Sequence, residues 1–388
     1  MDAIRNPYAP GAGRRPAALV GRDAQLDTWD VQLRRIESDR DAQSVVLYGL
    51  RGVGKTVLLS EFARRAEAHD WIVAKIEAGA GKNLRQALGE ALYAPLVDLA
   101  RPSAGSRVLK AVKTALSFKA SYDATGTWSF GFDLSGAEGG GADTGVLETD
   151  ISKLVRDISG AATGVGLAIL IDEAQDLSEE ELAVIAATAH RAMQDGWHVV
   201  FGLAGLPSLP RLLAEAKSYT ERLFRFDRIE HLTDELASAA LTEPAREESV
   251  AWEPAAVAQL VAASSGYPYF LQQFGQDTWN AAQSSPIGTA DARVGLATGN
   301  AALDTGFFRA RWDRATPAEK TYLRAMARDG DVGSQSGVVA ERLGRKSTSL
   351  GPTRANLIAK GLIYAPEHGI VAFTVPHMAA FIERQPTE

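Results

Sequence analysis

Short apolar runs alternate with helically spaced stretches over the first 231 residues. Ser44–Tyr48 (SVVLY) is a β-branched run stopped by Gly49, the pattern of a strand buried on both faces. From Thr56 to Ala68, Val57, Leu58, Phe62 and Ala66 fall on one face of a helix. Trp71–Ile76 reads as the next strand and Leu84–Leu99 as the next helix. Val146–Ile158 is again helical, and Gly166–Asp172 (GLAILID) is a wholly apolar strand that ends in acid. Ser178 and Glu181 then form a capping box that opens a helix running to Met193. A strand at Trp197–Ala204, a helix at Leu209–Leu223 and a short strand at Phe226–His231 complete the series. Strands alternating with helices predict a parallel, doubly wound α/β sheet.

Two stretches break that rhythm. At about 103–145 an insertion carries a helical pattern (Arg107–Phe118) and then a period of two, with Tyr122, Trp128, Phe130 and Phe132 on one side of Tyr122–Leu134. Its tail, Gly136–Gly145, is too glycine-rich for regular structure and reads as a connector or a mobile lid. After Thr233 only helical patterns appear, predicting an all-α lid over 233–304.

From Thr305 the elements shorten. Thr316, Pro317 and Glu319 form a helix start with a second capping box, and Gly337–Leu343 is a second helix. A third, from about Leu350 to Ala359, places Leu350, Leu357 and Ile358 on its buried face. Ser349, Thr353, Asn356 and Lys360 form its other face, with Arg345 and Lys346 ahead of it. A hairpin follows, Gly361–Tyr364 and Ile370–Thr374 around Glu367–Gly369, so residues 305–388 read as a winged helix-turn-helix domain. Residues 1–18 are Pro/Gly/Arg-rich and read as irregular, leaving 19–232 as the α/β core.

The chemistry is concentrated in that core. Gly49-Leu-Arg-Gly-Val-Gly-Lys-Thr56 fits G-x-x-x-x-G-K-[ST] and lies between a strand and a helix, as a phosphate-binding P-loop must. Gly49, Gly52 and Gly54 let backbone N–H groups approach a phosphate chain without Cβ clashes, with Arg51, Val53 and Val57 contributing main chain. Lys55 supplies a point charge and Thr56 a hydroxyl ligand for Mg²⁺. In Ala168–Glu173, Asp172 ends a buried strand where it would hold the Mg²⁺, and Glu173 would polarise the attacking water. The pair predicts hydrolysis of ATP to ADP and phosphate.

Composition removes other options. There is no cysteine, so thiolate metal sites, disulfides and cysteine nucleophiles are excluded, and the six His form no ligand-spaced pair. No signal-peptide pattern and no apolar run of about 18 residues is present, which predicts a cytoplasmic protein without a membrane partner. The net charge of -7 is unevenly placed: 12 basic and 8 acidic residues follow position 304, against 29 and 40 before it. That asymmetry points to an anionic contact near the C-terminus.

With the P-loop, Asp172–Gln175 (DEAQ) and Leu19-Val-Gly-Arg22 on the page, the sequence resembles AAA+/STAND-type P-loop ATPases of the bacterial AAA ATPase and replication-initiator-like kind. The resemblance implies that Val20, Gly21 and Arg22 lie against the adenine and that Pro268, in Gly266-Tyr-Pro268, packs near the base. Pro268 also reads simply as the first residue of a helix. An arginine finger is implied between the last two strands, where Arg222 and Arg225 stand; either could equally serve a surface ion pair. The expected polar sensor after the fourth strand is missing from Gly202-Leu-Ala-Gly-Leu-Pro207, which predicts slow hydrolysis and a switch rather than a motor. Three functions stay open at this stage: an ATP-dependent switch, an ATP-gated regulator that binds DNA through 345–360, and a non-hydrolysing scaffold. A protein partner and a homo-oligomer are equally open.

Overall fold

The computed structural model describes residues 1–386 apart from 12, 80, 82, 100–109, 112, 116–141, 143 and 160–165. The hairpin expected at Tyr122–Leu134 lies outside the described residues, as does most of Gly136–Gly145 and of the helix expected at Arg107–Phe118; within that helix 110, 111 and 113–115 are helical. The chain forms two units: Arg22–Tyr48 with Lys55–Arg228, and Met1–Gly21 with Gly49–Gly54 and Ile229–Glu388.

The first of these units is built on five parallel strands, β1 (Ser44–Tyr48), β2 (Ile72–Glu77), β3 (Leu167–Asp172), β4 (Val199–Gly205) and β5 (Phe224–Arg228). Their order is β2-β3-β4-β1-β5, so β3 and β4 stand between two strands adjacent in sequence. β3 and β4 are buried at every residue, as their unbroken apolar runs require. The helices are α1 (Asp23–Glu37), α2 (Lys55–Ala68), α3 (Leu84–Leu99), α4 (Leu147–Ser159), α5 (Glu179–Asp195), α6 (Leu209–Ala216) and α7 (Thr220–Leu223).

Trp29 of α1 stacks on Phe62 of α2 at 4.5 Å between ring centroids, and its indole N–H donates to the Phe62 carbonyl at 2.9 Å. Gly202 leaves room at the centre of β4, since a Cβ there would lie 2.6 Å from Leu170 Cδ2. The capping box of α5 is formed as read, with Ser178 and Glu181 bonded reciprocally. The helix expected at Leu209–Leu223 is instead two. Lys217 is extended, and Thr220 is buried with its hydroxyl donating to the Lys217 carbonyl at 3.0 Å. That turn brings buried Phe224 into β5, two residues earlier than the pattern indicated.

In the second unit, α8 (Asp234–Glu247), α9 (Pro254–Ser264), α10 (Pro268–Ala281) and α11 (Thr289–Ala302) form the expected all-α region. The N-terminal segment is irregular yet packed on it. Tyr8 is buried edge-on against Trp252 and Trp279, and Gly275 makes room for its ring, a Cβ there lying 2.9 Å from Tyr8 Cδ1. A π-helical turn, Leu303–Phe308, leads into α12 (Arg309–Trp312).

The C-terminal elements are α13 (Pro317–Ala327), β6 (Ser334–Gln335), α14 (Ser336–Arg342), α15 (Gly351–Ala359), β7 (Ile363–Tyr364), β8 (Ile370–Phe373) and α16 (Met378–Glu383). The three strands are antiparallel in the order β6-β8-β7. Two residues of β6 and all of α16 had no counterpart in the pattern. Leu350 and Leu357 are buried, but Ile358 is exposed, because neighbours on a helix point about 100° apart and only one can face this core.

Candidate phosphate site

The glycines of the loop adopt the backbone that motivated them. Gly52 and Gly54 have φ of +85° and +97°, a region that side chains strain to enter. A Cβ at Gly49 would be driven onto the carbonyl oxygen of Ile229, so no larger residue fits. At Gly54 the same position is open space. Val53 is buried and touches Gly49, while the Arg51 N–H donates to the Thr374 carbonyl at 3.1 Å.

Lys55 begins α2, so the loop runs straight into a helix N-terminus, where unpaired N–H groups and the positive dipole end favour an anion. Lys55 is buried; Thr56 and Val57 follow it half-buried in the first turn.

In the same unit Asp172 ends β3 and is 8 % exposed. Its main-chain carbonyl accepts from the Ala78 N–H at 2.9 Å, which pins the strand end to β2, and its carboxylate accepts from the Glu173 N–H at 2.9 Å. Glu173 has φ of 49° and ψ of 37°, a left-handed conformation uncommon for a residue with a side chain. That bend turns the chain out of the strand and leaves the Glu173 carboxylate half-buried.

Gln175 occupies the place where a polar residue after β4 was expected. Its Oε1 accepts from the Leu206 N–H at 2.8 Å, and its Nε2 donates to Glu173 Oε2 at 2.7 Å. A side chain on Gly205 would sit 2.7 Å from Gln175 Oε1, so β4 ends without a polar group and the amide arrives from the turn that follows β3. The spacing DEAQ contained this residue, but its partner is 31 positions away.

The remaining predicted residues lie on separate elements. Gly21 has φ of +69° and lies against Leu236 of α8, with half-buried Val20 before it. Arg22 is buried ahead of α1, and that burial lowers its pKa. Pro268 is the first residue of α10, and Gly266 before it has φ of +68° with its carbonyl accepting from the Leu232 N–H at 2.8 Å. Arg222 is exposed on α7, whereas Arg225 pairs with Asp227 at 3.2 Å within β5. In the C-terminal region Lys360 is turned inward to Glu319 at 2.6 Å, and Thr353 is half-buried. The exposed residues of α15 are therefore Gly351, Pro352, Ala355, Asn356, Ile358 and Ala359, less polar than the spacing indicated.

Residues 18–201 match the AAA ATPase domain, and residues 305–382 match a domain of unknown function, DUF8462. No curated protein matches the chain. Among solved structures it is similar to the Walker-type ATPase PABY2304 of Pyrococcus abyssi, at 16% identity and a TM-score of 0.58, over 94% of this chain and 96% of that one. It is also similar to the Aeropyrum pernix ORC2 protein in its ADP form, at 14% identity and a TM-score of 0.52, over 96% of each chain. At such identities the likeness is one of fold. Among the described residues no helix is long and apolar enough to cross a membrane. Residues 18–201 thus resemble the AAA ATPase domain in sequence, and the chain shares the parallel-sheet fold of P-loop ATPases.

Proposed function

We propose that the chain binds ATP with Mg²⁺ and hydrolyses it slowly, as a cytoplasmic nucleotide-dependent switch. The carrying observation is that left-handed Gly52 and Gly54 run directly into α2, which begins at Lys55 in the unit that also holds Asp172 and Glu173. These residues fit a nucleotide chemically. Backbone N–H groups and the Lys55 ammonium suit phosphate oxygens, while the Thr56 hydroxyl and the Asp172 carboxylate suit a hard divalent cation. Bound Mg²⁺ supplies charge neutralisation at the phosphoryl oxygens. Val20, Gly21, Arg22 and Pro268 would line the base, and Arg222 would act as an arginine finger if copies assemble. Residues 19–232 would form the ATPase core, 233–304 its lid and 305–388 a winged helix.

Slow turnover is supported by the bond from Gln175 to Glu173. The amide N–H occupies Oε2 of the residue proposed to polarise the attacking water. Glu173 would still take the proton of the attacking water.

Binding and hydrolysis measured in the full chain test this reading. Lys55→Ala should lose ATP binding, and Glu173→Gln should keep binding while losing about a hundredfold in turnover. Unchanged turnover in Glu173→Gln would remove Glu173 from the chemistry, and ATP binding by Lys55→Ala at wild-type affinity would remove the loop.

A second reading, ATP-gated DNA binding, is favoured by one observation: Gly344–Ser349, including Arg345 and Lys346, is a continuously exposed run ahead of α15. If those two residues neutralise phosphates, their replacement by Ala should reduce the slope of log affinity against log salt by about 2. Duplex DNA that fails to bind in the presence of ATP would end this reading.

A further inference from the structure

Beside the phosphate loop a tyrosine hydroxyl is buried without a hydrogen-bond partner. Tyr267 stands between Gly266 and Pro268, is 3 % exposed, and its hydroxyl finds no acceptor or donor among the described residues. Its ring lies over Gly52: a Cβ there would sit 3.0 Å from Cε1 and 3.3 Å from the hydroxyl oxygen. The glycine at position 52 thus serves two ends, a positive φ and room for an aromatic neighbour. Tyr267 is held there by the left-handed Gly266, by the fixed φ of Pro268, and by the Phe270 ring at 4.9 Å. Buried phenols ordinarily find a partner, so an unpartnered one at the lip of an anion-binding loop points to a partner that comes and goes.

A concentration of positive charge accompanies it. Arg311 of α12 has its guanidinium carbon over the Phe307 ring, 3.9 Å from the centroid, and donates to the Phe307 carbonyl at 2.6 Å. Burial lowers its pKa most, and the positive charges of Arg51 and Arg314 lower it further, with Tyr267 and Tyr269 acting in the opposite direction. Tyr267 in turn has its pKa raised by burial, while Arg311 and Arg51 act to lower it. Phe307 stacks in turn on Tyr269 at 4.8 Å, and a Cβ on Gly52 would lie 3.4 Å from Tyr269 Cβ, so this guanidinium charge stands in a partly dry place beside the loop, where it suits an anion.

We propose that the Tyr267 hydroxyl and the Arg311 guanidinium form a second phosphate-reading contact for the nucleotide carried on Gly49–Gly54. The inference rests on the ATP-binding reading and adds to it a route for regulation. Tyr267 opens into α10 and Arg311 lies on α12, immediately after the π-helical turn at Leu303–Phe308. A phosphate held by both residues ties these two elements to the loop, and its departure releases them. Occupancy would then be reported to the C-terminal elements through side chains outside the P-loop motif.

The test compares ADP and inorganic pyrophosphate binding to the full chain in wild type, Tyr267→Phe, Arg311→Gln and Lys55→Ala, each checked by thermal melting. Tyr267→Phe should bind ADP about tenfold more weakly, yet melt without ligand at or above the wild-type temperature, because the oxygen removed has no partner. Arg311→Gln should weaken both ligands by at least as much, and Arg311→Lys should restore part of the loss. If Tyr267→Phe and Arg311→Gln bind ADP as wild type does while Lys55→Ala does not, the contact is purely structural and the inference is overturned with the ATP reading intact. If wild type binds neither ligand, both fall. Should Arg311→Gln fail to melt cooperatively, Tyr267→Phe and Arg311→Lys decide the matter.

Discussion

Gln175 holds Glu173: its Nε2 donates to Glu173 Oε2 at 2.7 Å, while its Oε1 is anchored by the Leu206 N–H at 2.8 Å. The amide therefore spans from the end of β4 to the residue proposed to activate water. Replacing it by Leu keeps much of the volume and removes both bonds. Freeing the carboxylate to turn toward the attacking water should raise ATP turnover by roughly tenfold. The orphaned Leu206 N–H should lower stability by about 1 kcal/mol. Steady-state hydrolysis alongside denaturant melts measures both. Slower turnover in Gln175→Leu would mean that Gln175 positions Glu173 rather than restraining it.

Gly266 answers a backbone demand. Its φ is +68°, and a Cβ would be pressed onto the Leu232 carbonyl, the residue whose N–H bonds back to the Gly266 carbonyl at 2.8 Å. Gly266→Ala should cost about 3 kcal/mol, the sum of a left-handed strain and a displaced neighbour. Urea titration should register the loss, and a variant within about 0.5 kcal/mol of wild type would show that the turn relaxes freely.

These cases mark what the sequence made legible. The loop 49–56, the strand ending in Asp172 and both capping boxes were readable because each depends on residues a few positions apart. The order β2-β3-β4-β1-β5 depended on pairings between residues far apart in sequence, such as Val45 with Gly202 and Ile72 with Leu167, which no local period records. Gln175 was visible in DEAQ, but its anchor on Leu206 was not. Tyr267 was visible between Gly266 and Pro268, yet nothing local ties it to Gly52. The inward turn of Lys360 was hidden for the same reason, since Glu319 lies 41 residues earlier.

That pair makes a prediction with pH. Glu319 is buried; its burial pushes the carboxyl pKa up, but the Lys360 ammonium and the Thr316 N–H and hydroxyl together hold it below the usual glutamate value of 4.5. A depressed folded pKa stabilises fully above the unfolded value and is lost as pH falls through the folded one. Melting of the C-terminal elements should therefore be flat above about pH 5 and fall below 4.5. Lys360→Met should cost about 1–2 kcal/mol at pH 7, discounted for the partly exposed lysine, and should shrink that acid dependence. An equal fall in both proteins would assign the acid sensitivity elsewhere; Asp329, held below its usual value by Arg342, is the next candidate.

The N-terminal segment supplies the last prediction. The Tyr8 hydroxyl donates to the Leu241 carbonyl and accepts from the Trp252 indole N–H at 3.0 Å, joining residue 8 to α8 and to the loop before α9. Nearby, the Trp279 N–H donates to the Asp2 carbonyl at 2.9 Å, and the Asn6 amide bridges the Gln276 carbonyl and the Asn280 side chain. A Pro/Gly-rich stretch without helix or strand propensity can thus serve as a strap, since its polar groups are met by another part of the chain. Tyr8→Phe retains the ring between the two tryptophans and leaves one carbonyl and one indole N–H unmet, at a cost of about 2 kcal/mol. Tryptophan emission should shift to the red at lower denaturant in this variant, with the cooperativity of the transition preserved. If the midpoint instead stays at the wild-type value, the strap is held by its main-chain contacts alone, and Asn6→Ala should then show the larger effect.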